Sequence, residues 1–385
     1  MRTSKQNVPL IVFFCGFLLI TFCLFIFLPK HSVSDQEKRK LEPFPSASAS
    51  TLANGSFEAG MDRYLSDHMP GRTWWVGAYS YFCLATGRNG WNGVYAGGDG
   101  YLICAPIAPD YESLSKNLSF IQDFLRTAES PASVMIVPSS GAILSEKLPA
   151  NHEEYHDADL LVFARSQLES FAEWVDLSSK FKPLSALEQL YYRTDHHWTS
   201  LGAYRAYEEL LSHWSLSPVP SNRFLVTVYP QFYGTSYSKS ALWGTKPDSL
   251  ELWDPSLDVQ VSIYEDPAGE PSVSSSMFYR ENLNSADPYP VFLNGNHALT
   301  RIVNPSADGG KLLILKDSFA NCLAPFLSAH FREIDLVDLR YCQPAAGSSP
   351  LQDSSYDRIL LLYSLEDLVE DPNFMWLTPR TAPDK

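Results

Sequence analysis

The chain is poor in positive charge: 29 Lys and Arg face 44 Asp and Glu, for a formal net charge of −15. Nucleic-acid binding needs concentrated Lys and Arg against phosphates, so that class is excluded. Internal repeats are absent, which argues against a solenoid or propeller. Cysteine is sparse, six in 385 residues. Cys15 and Cys23 fall in an apolar run. Cys83, Cys104, Cys322 and Cys342 remain, an even number that suits either two disulfides outside the cell or four buried thiols. Charge is missing altogether from Val8 to Pro29.

That uncharged run is long enough to cross a bilayer, for which about 20 apolar residues suffice. It exceeds the apolar core of a cleaved signal peptide, and no small-residue cleavage site follows it. The expected organisation is a cytoplasmic tail over 1–7, a transmembrane signal anchor over 8–29, a linker over 30–56 and one extracytoplasmic domain over 57–385. Lys30, Lys38, Arg39 and Lys40 after the span run against the positive-inside rule, but long domains translocate largely regardless of charge. The domain composition is globular, with 45% hydrophobic and 19% charged residues.

Four apolar runs read as strands buried on both faces: 133–140, 311–316, 333–339 and 358–364. Leu114, Leu118, Ile121 and Leu125 share one helix face. Thr199 or Ser200 caps a further helix. The alternation predicts an α/β fold with a parallel sheet flanked by helices. Residues 216–300, rich in Pro, Ser and Tyr, read as a long insertion.

Two stretches carry chemistry. In "YYRTDHHWTS" (191–200), an extended backbone would point Asp195 and His197 the same way and His196 the other. That spacing suits a carboxylate holding one imidazole nitrogen while the other faces a hydroxyl. In "KLLILKDSFANCLAPFL", Ser318 sits where a strand turns into a helix, whose free N–H groups can bind an oxyanion. The plainer role for Ser318 is a helix N-cap. Pro325 is expected to kink that helix unless it falls in the first turn. No metal site is expected. "HEEYH" (152–156) has zinc-protease spacing, but no apolar face to hold it helical and no third ligand. "GGDGYLI" (97–103) reads as a tight turn before a strand rather than a phosphate loop.

The stretch "RTDHHWTSLGAYRAYEEL" resembles the signature of the DHHW family, which is similar to the alginate O-acetylation proteins and other SGNH-hydrolase-like proteins. "GGDGYLI", "VMIVPSS", "YGTSYSKSA", "FLNGNHAL" and "LLILKDSFANCLAPF" agree in order, so the resemblance covers about Gly97 to Tyr363. It implies a flavodoxin-like SGNH core with a Ser-His-Asp triad, carried onto Ser318, His197 and Asp195. It further implies an extracytoplasmic O-acetyltransferase that needs no cofactor. Such an enzyme would act on a cell-surface glycan, with a multi-span membrane acyltransferase supplying the donor. An esterase on the same triad and a non-catalytic glycan-binding or assembly protein are the alternatives. Lys316 departs from the usual Gly-Asp-Ser. Arg193, Tyr233 and Tyr237 are candidate glycan contacts. Asn294, Asn296 and Asn304 are candidates for an oxyanion or sugar-hydroxyl contact, and a turn role fits each equally.

Overall fold

The structure, a computed structural model, describes residues 8–342 and 355–377. The expected tail over 1–7 lies outside them. The described chain divides into two compact units, Met1–Trp91 with Ala241–Trp243, and Asn92–Ser240 with Gly244–Lys385.

Among its described residues the first unit holds three helices of 12 residues or more. α1, Val8–Phe27, is the uncharged run, long and apolar enough to cross a membrane and unburied along its length. α2 is Ser56–Asp67 and α3 is Arg72–Ala85. The segment expected as a linker over 30–56 is not bare chain. Residues 33–34 and 39–40 pair as a short antiparallel ribbon, and Ala49–Ala53 forms a helical turn. Arg39 forks onto Asp67, and Arg72 reaches Glu37 at 2.8 Å. These ion pairs fold the segment back onto α2 and α3, which a composition-based reading does not foresee.

The second unit is built on an eight-stranded sheet. Its strands are β1 (Ala132–Val137), β2 (Glu173–Val175), β3 (Gln260–Tyr264), β4 (Ser272–Ser274), β5 (Leu299–Val303), β6 (Gly309–Lys316), β7 (Phe331–Val337) and β8 (Arg358–Ser364). They lie side by side in the order β4-β3-β5-β7-β6-β8-β1-β2. The run from β7 to β2 is parallel, while β5, β3 and β4 are antiparallel additions. The fold is therefore α/β with a mixed, mostly parallel sheet flanked by helices. The expected strands match β1, β6, β7 and β8.

Residues 216–300 are not simply an insertion. Their outer part forms a hairpin of 225–232 against 248–254, but β3 and β4 belong to the central sheet.

Period-two alternation splits the core in two. Leu312 and Ile314 of β6, with Leu360 and Leu362 of β8, face one side. Leu313 and Leu315, with Ile359 and Leu361, face the other. The first face is covered by α6 (Leu177–Leu184), α7 (Ser200–His213) and α9 (Phe319–Leu327). The second is covered by α4 (Tyr111–Thr127), α5 (Asp157–Leu168) and α10 (Leu365–Glu370). Each fully buried Leu contributes about 1.5–3 kcal/mol relative to an exposed one, which fixes the strand register. Between α7 and α9 in the chain lies the short helix α8, Thr235–Ser240.

α7 begins as expected, with the Thr199 side chain accepting from the Gly202 amide. Pro325 falls in the last turn of α9, which ends two residues later at Leu327, so it terminates the helix rather than kinking it. All six cysteines are free thiols, so the disulfide alternative is not formed. Residues 152–156 form a loop ahead of α5, without the helical face a zinc site needs.

β7 and β8, the strands that follow β6, lie on opposite sides of it. Such a topological switch opens a crevice at the carboxyl ends of the strands, where α/β folds bind ligands. Ser318 stands at that end of β6.

Candidate active site

Ser318 has helical backbone angles, φ −65° and ψ −20°, and its hydroxyl caps nothing in α9. The neighbouring Asp317 supplies the cap instead. Its Oδ1 accepts the Phe319 amide at 3.0 Å and its Oδ2 accepts the Ser364 amide at 2.6 Å. Relieved of capping, the Ser318 hydroxyl lies 2.7 Å from His197 Nε2. Ser318 is half-buried. The amides of Ser318 and Ala320 have no acceptor among the described residues. An α-helix leaves its first amides unbonded, and they carry partial positive charge.

His197 reaches Ser318 from a closed loop. The Tyr192 amide donates to the His197 carbonyl at 3.1 Å, and the Thr199 amide to the Leu190 carbonyl at 2.8 Å. Tyr191 and Trp198 bridge the base of the loop. Within it, Asp195 Oδ1 accepts the His197 amide at 2.9 Å and His197 Nδ1–H at 2.6 Å. Asp195 and His197 therefore meet through a side-chain turn, not through strand alternation. For the same reason His196 does not point away. Its ring centroid lies 3.9 Å from that of His197, and its Nδ1 lies 2.6 Å from Thr235 Oγ1.

The second Asp195 oxygen accepts from the Thr235 amide at 2.6 Å and the Thr235 hydroxyl at 3.1 Å. Gly234 permits this approach, because a Cβ there would collide with the Asp195 side chain. Asp195 is fully buried. Burial alone would raise its pKa, but His197 and His196 beside it, together with hydrogen bonds from His197, hold the carboxyl well below the usual range. An ionised Asp195 keeps the proton on Nδ1 and leaves Nε2 to accept from the Ser318 hydroxyl.

Tyr289 lies flat on the His197 ring, centroids 3.8 Å apart and planes 9° from parallel, and Phe319 approaches at 4.9 Å. The chain thus joins a carboxylate, an imidazole and a hydroxyl in one hydrogen-bonded line at the carboxyl edge of a parallel sheet. Residues 181–337 match the family model of the DHHW protein, and residues 108–231 match that of the SGNH hydrolase-like domain, acetyltransferase AlgX. Over those residues the chain is similar to the DHHW family and to the SGNH hydrolase-like AlgX domain.

A DHHW family protein from Eubacterium siraeum has the same fold, with a TM-score of 0.63 and 23% identity over 74% of this chain and 95% of that one. Bacillus cereus PatB1 with a sulfonyl adduct gives 0.62 and 20% over 74% of this chain and 97% of that one. No curated protein matches.

The other candidate residues scatter. Arg193 lies over the Tyr101 ring at 5.8 Å, and its Nε is buried without an acceptor among the described residues. Tyr233 and Tyr237 pack on one another at 4.3 Å. Asn294 is an exposed residue with φ 60°, held by Asn282 at 2.9 Å, which is a turn role. Asn304 is buried and donates to the Ser328 carbonyl at 2.8 Å, a structural clamp behind α9. Asn296 stands closest to the nucleophile's own segment. Its Oδ1 accepts from Lys316 Nζ at 2.6 Å and from Asn321 Nδ2 at 2.9 Å, and Asn321 lies in the first turn of α9.

Lys316 explains its own departure from glycine. It is buried at the end of β6, bonds Asn296 and Asn321 Oδ1, and faces Asp338 at 3.6 Å. Burial pushes its pKa down to about 8 against the pull of Asp338. Gly234, Thr235, Tyr289 and Asn321 were not singled out by sequence. Gly234 and Thr235 lie in "YGTS" and Asn321 in "SFANC", stretches that carried the resemblance, while Tyr289 had no signal.

Ligand atoms of Asp195, His196 and His197 lie within 4.8 Å of one another. They do not fit a resident metal. Both Asp195 oxygens and both His197 nitrogens are already hydrogen-bonded, and His196 Nδ1 is engaged by Thr235.

Proposed function

We propose that this protein is a membrane-anchored, extracytoplasmic O-acetyltransferase that acetylates a cell-surface polysaccharide through Ser318, His197 and Asp195. The observation that carries the reading is the continuous hydrogen-bonded line from Asp195 through His197 to the Ser318 hydroxyl. The match to the acetyltransferase AlgX domain model supports acyl transfer.

In this reading His197 Nε2 takes the Ser318 proton as Oγ attacks the acetyl carbonyl of a donor. The carbonyl oxygen becomes an oxyanion facing the Ser318 and Ala320 amides, whose dipoles oppose its charge. Asp195 holds the imidazolium in place. The tetrahedral intermediate collapses, the donor's leaving oxygen takes the proton back from His197, and acetyl-Ser318 remains. A sugar hydroxyl then gives its proton to His197 and attacks the acetyl group, which restores Ser318. Asn296, held in one orientation by Lys316 and Asn321, is the candidate side-chain contact to the oxyanion or the sugar. Arg193, Tyr233 and Tyr237 are candidate glycan contacts. A multi-span membrane acyltransferase supplies the donor, and α1 holds the enzyme at the membrane.

The same line serves an esterase if water replaces the sugar. Mass analysis of products formed from an acetyl ester with and without an oligosaccharide separates the two. An acetylated oligosaccharide supports transfer, and free acetate alone supports hydrolysis. Turnover by Ser318→Ala equal to that of the parent would overturn both.

A further inference from the structure

Three parallel strands end behind the nucleophile, and each is followed by buried charge. β6 ends at Lys316, with Asp317 next; Asp338 and Arg340 follow β7; and Asp367 lies in α10, which follows β8. Lys316, Asp317 and Asp338 are almost wholly buried. Arg340 forks onto both Asp338 oxygens at 2.9 and 2.7 Å and reaches Asp367 at 2.9 Å. Asp338 thus already has a cation of its own, and Lys316 stands farther from it, at 3.6 Å.

The shorter bonds of Lys316 go to two amides. Its Nζ donates to Asn296 Oδ1 at 2.6 Å and to Asn321 Oδ1 at 2.8 Å. An ammonium only donates, so both amides must turn oxygen toward it. Asn321 Nδ2 then donates to the Gly295 carbonyl at 3.1 Å and to Asn296 Oδ1 at 2.9 Å. Asn296 Oδ1 accepts two bonds, and its Nδ2, turned the other way, has no acceptor among the described residues. Asn296 is half-buried, and Asn321 lies in the first turn of α9, whose amides flank Ser318. A neutral Lys316 has two N–H groups for three acceptors, and its lone pair would meet one of those oxygens.

We propose that Lys316 is a positioning residue whose ammonium, backed by Asp338, fixes the Asn296 amide so that Nδ2 donates to the oxyanion, and whose neutral amine releases it. The inference rests on the proposed acetyl transfer at Ser318 and gives that reaction a second titrating group beside His197. His197 must be neutral to take a proton, which sets a rising limb with pH. Lys316 must be charged, which sets a falling limb. Burial brings its pKa down to about 8, with Asp338 and Asp317 opposing and Arg340 adding to the fall. Burial raises the carboxyls of Asp317 and Asp367, the latter to about 7, which keeps both on the acid side. Burial pushes Cys322 up to about 12 and Tyr289 well above its ordinary value, beyond the falling limb. Losing the Lys316 charge relieves its desolvation cost, so this limb comes without loss of fold. A lysine with a merely structural role would lose activity only as the fold is lost.

The test follows kcat for release from an activated acetyl ester by the full chain between pH 6 and 10, after subtracting the rate of Ser318→Ala. Thermal unfolding is recorded at each pH. The parent is expected to lose at least ~10-fold in kcat above about pH 8 while still folded. Lys316→Met and Asn296→Ala are each expected to be at least ~10-fold slower at pH 7 and to lack the falling limb, and the double variant to be no worse than the poorer single one. A parent rate that holds to pH 10 would overturn the inference and leave the reading of Ser318 standing; the parent profile decides this even where Lys316→Met does not fold. Losses that multiply in the double variant would also overturn it, because Lys316 would then act other than through Asn296. A parent no faster than Ser318→Ala at any pH would overturn the reading of the site, and this inference with it.

Discussion

The Tyr289 ring lies parallel to the His197 imidazole at 3.8 Å, and its buried hydroxyl has no hydrogen-bond partner among the described residues. The contact is thus made by the ring alone. It shields the imidazole from water and faces the positive charge that His197 acquires in the proposed reaction. Aromatic stacking and cation–π contacts contribute about 0.5–1.5 kcal/mol. Tyr289→Leu is expected to lower kcat/KM by about 2- to 10-fold, while Tyr289→Phe keeps full activity and equal or higher thermal stability. Loss of activity in the Phe variant would show that the hydroxyl matters.

Ser318 and His197 act as one unit in the proposed mechanism, so their losses are not additive. Ser318→Ala and His197→Ala are each expected to reduce acetyl-ester turnover by at least ~10³-fold, and the double variant to be no worse than the poorer single one. Steady-state kinetics on the three proteins check this.

Asp195 depends on the segment at 234–235. Thr235→Val removes the hydroxyl donor but keeps the amide, and a roughly 10-fold fall in kcat is expected. Gly234→Ala places a methyl group against Asp195 and is expected to cost far more activity. A hydrogen–deuterium exchange profile of residues 191–200 shows whether the loss comes from a displaced loop.

Lys316 gives a pH signature in stability. Its folded pKa, about 8, lies below the ordinary value of about 10.4. Between these values the unfolded chain binds a proton that the folded chain does not, so this group adds stability as pH rises. Chemical denaturation of the parent and of Lys316→Met is expected to show the parent gaining on the variant between pH 8 and 10. The steepest gain is about 1.4 kcal/mol per pH unit. A constant difference across that range would contradict a buried, titrating Lys316.

Much of this was legible in the sequence because it is local. The continuous apolar runs of β6, β7 and β8 can be read directly, as can the face of α4 and the cap at Thr199. The sequence could not decide whether Ser318 caps α9, because the answer lies in Asp317 accepting the Phe319 amide and in a histidine 121 positions away. Strand alternation misplaced His196, since a side-chain turn at Asp195 closes the loop instead. Thr235 and Tyr289 became visible only when chain segments met. β3 and β4 were hidden in a polar stretch, because β3 joins the sheet through β5, which comes later in the chain, and β4 pairs with β3. The glycan candidates at Arg193, Tyr233 and Asn294 rested on residue type alone, and each has an ordinary packing or turn contact.

The most direct measurement is the site and fate of an acetyl group on the enzyme. Purified protein is incubated with an activated acetyl ester, quenched in acid, digested and mapped by mass spectrometry. The expected result is one acetyl group on Ser318, lost on adding an acceptor oligosaccharide and absent in His197→Ala. A folded parent protein that carries no acetyl group on Ser318, or carries it equally without His197, would contradict the proposed mechanism.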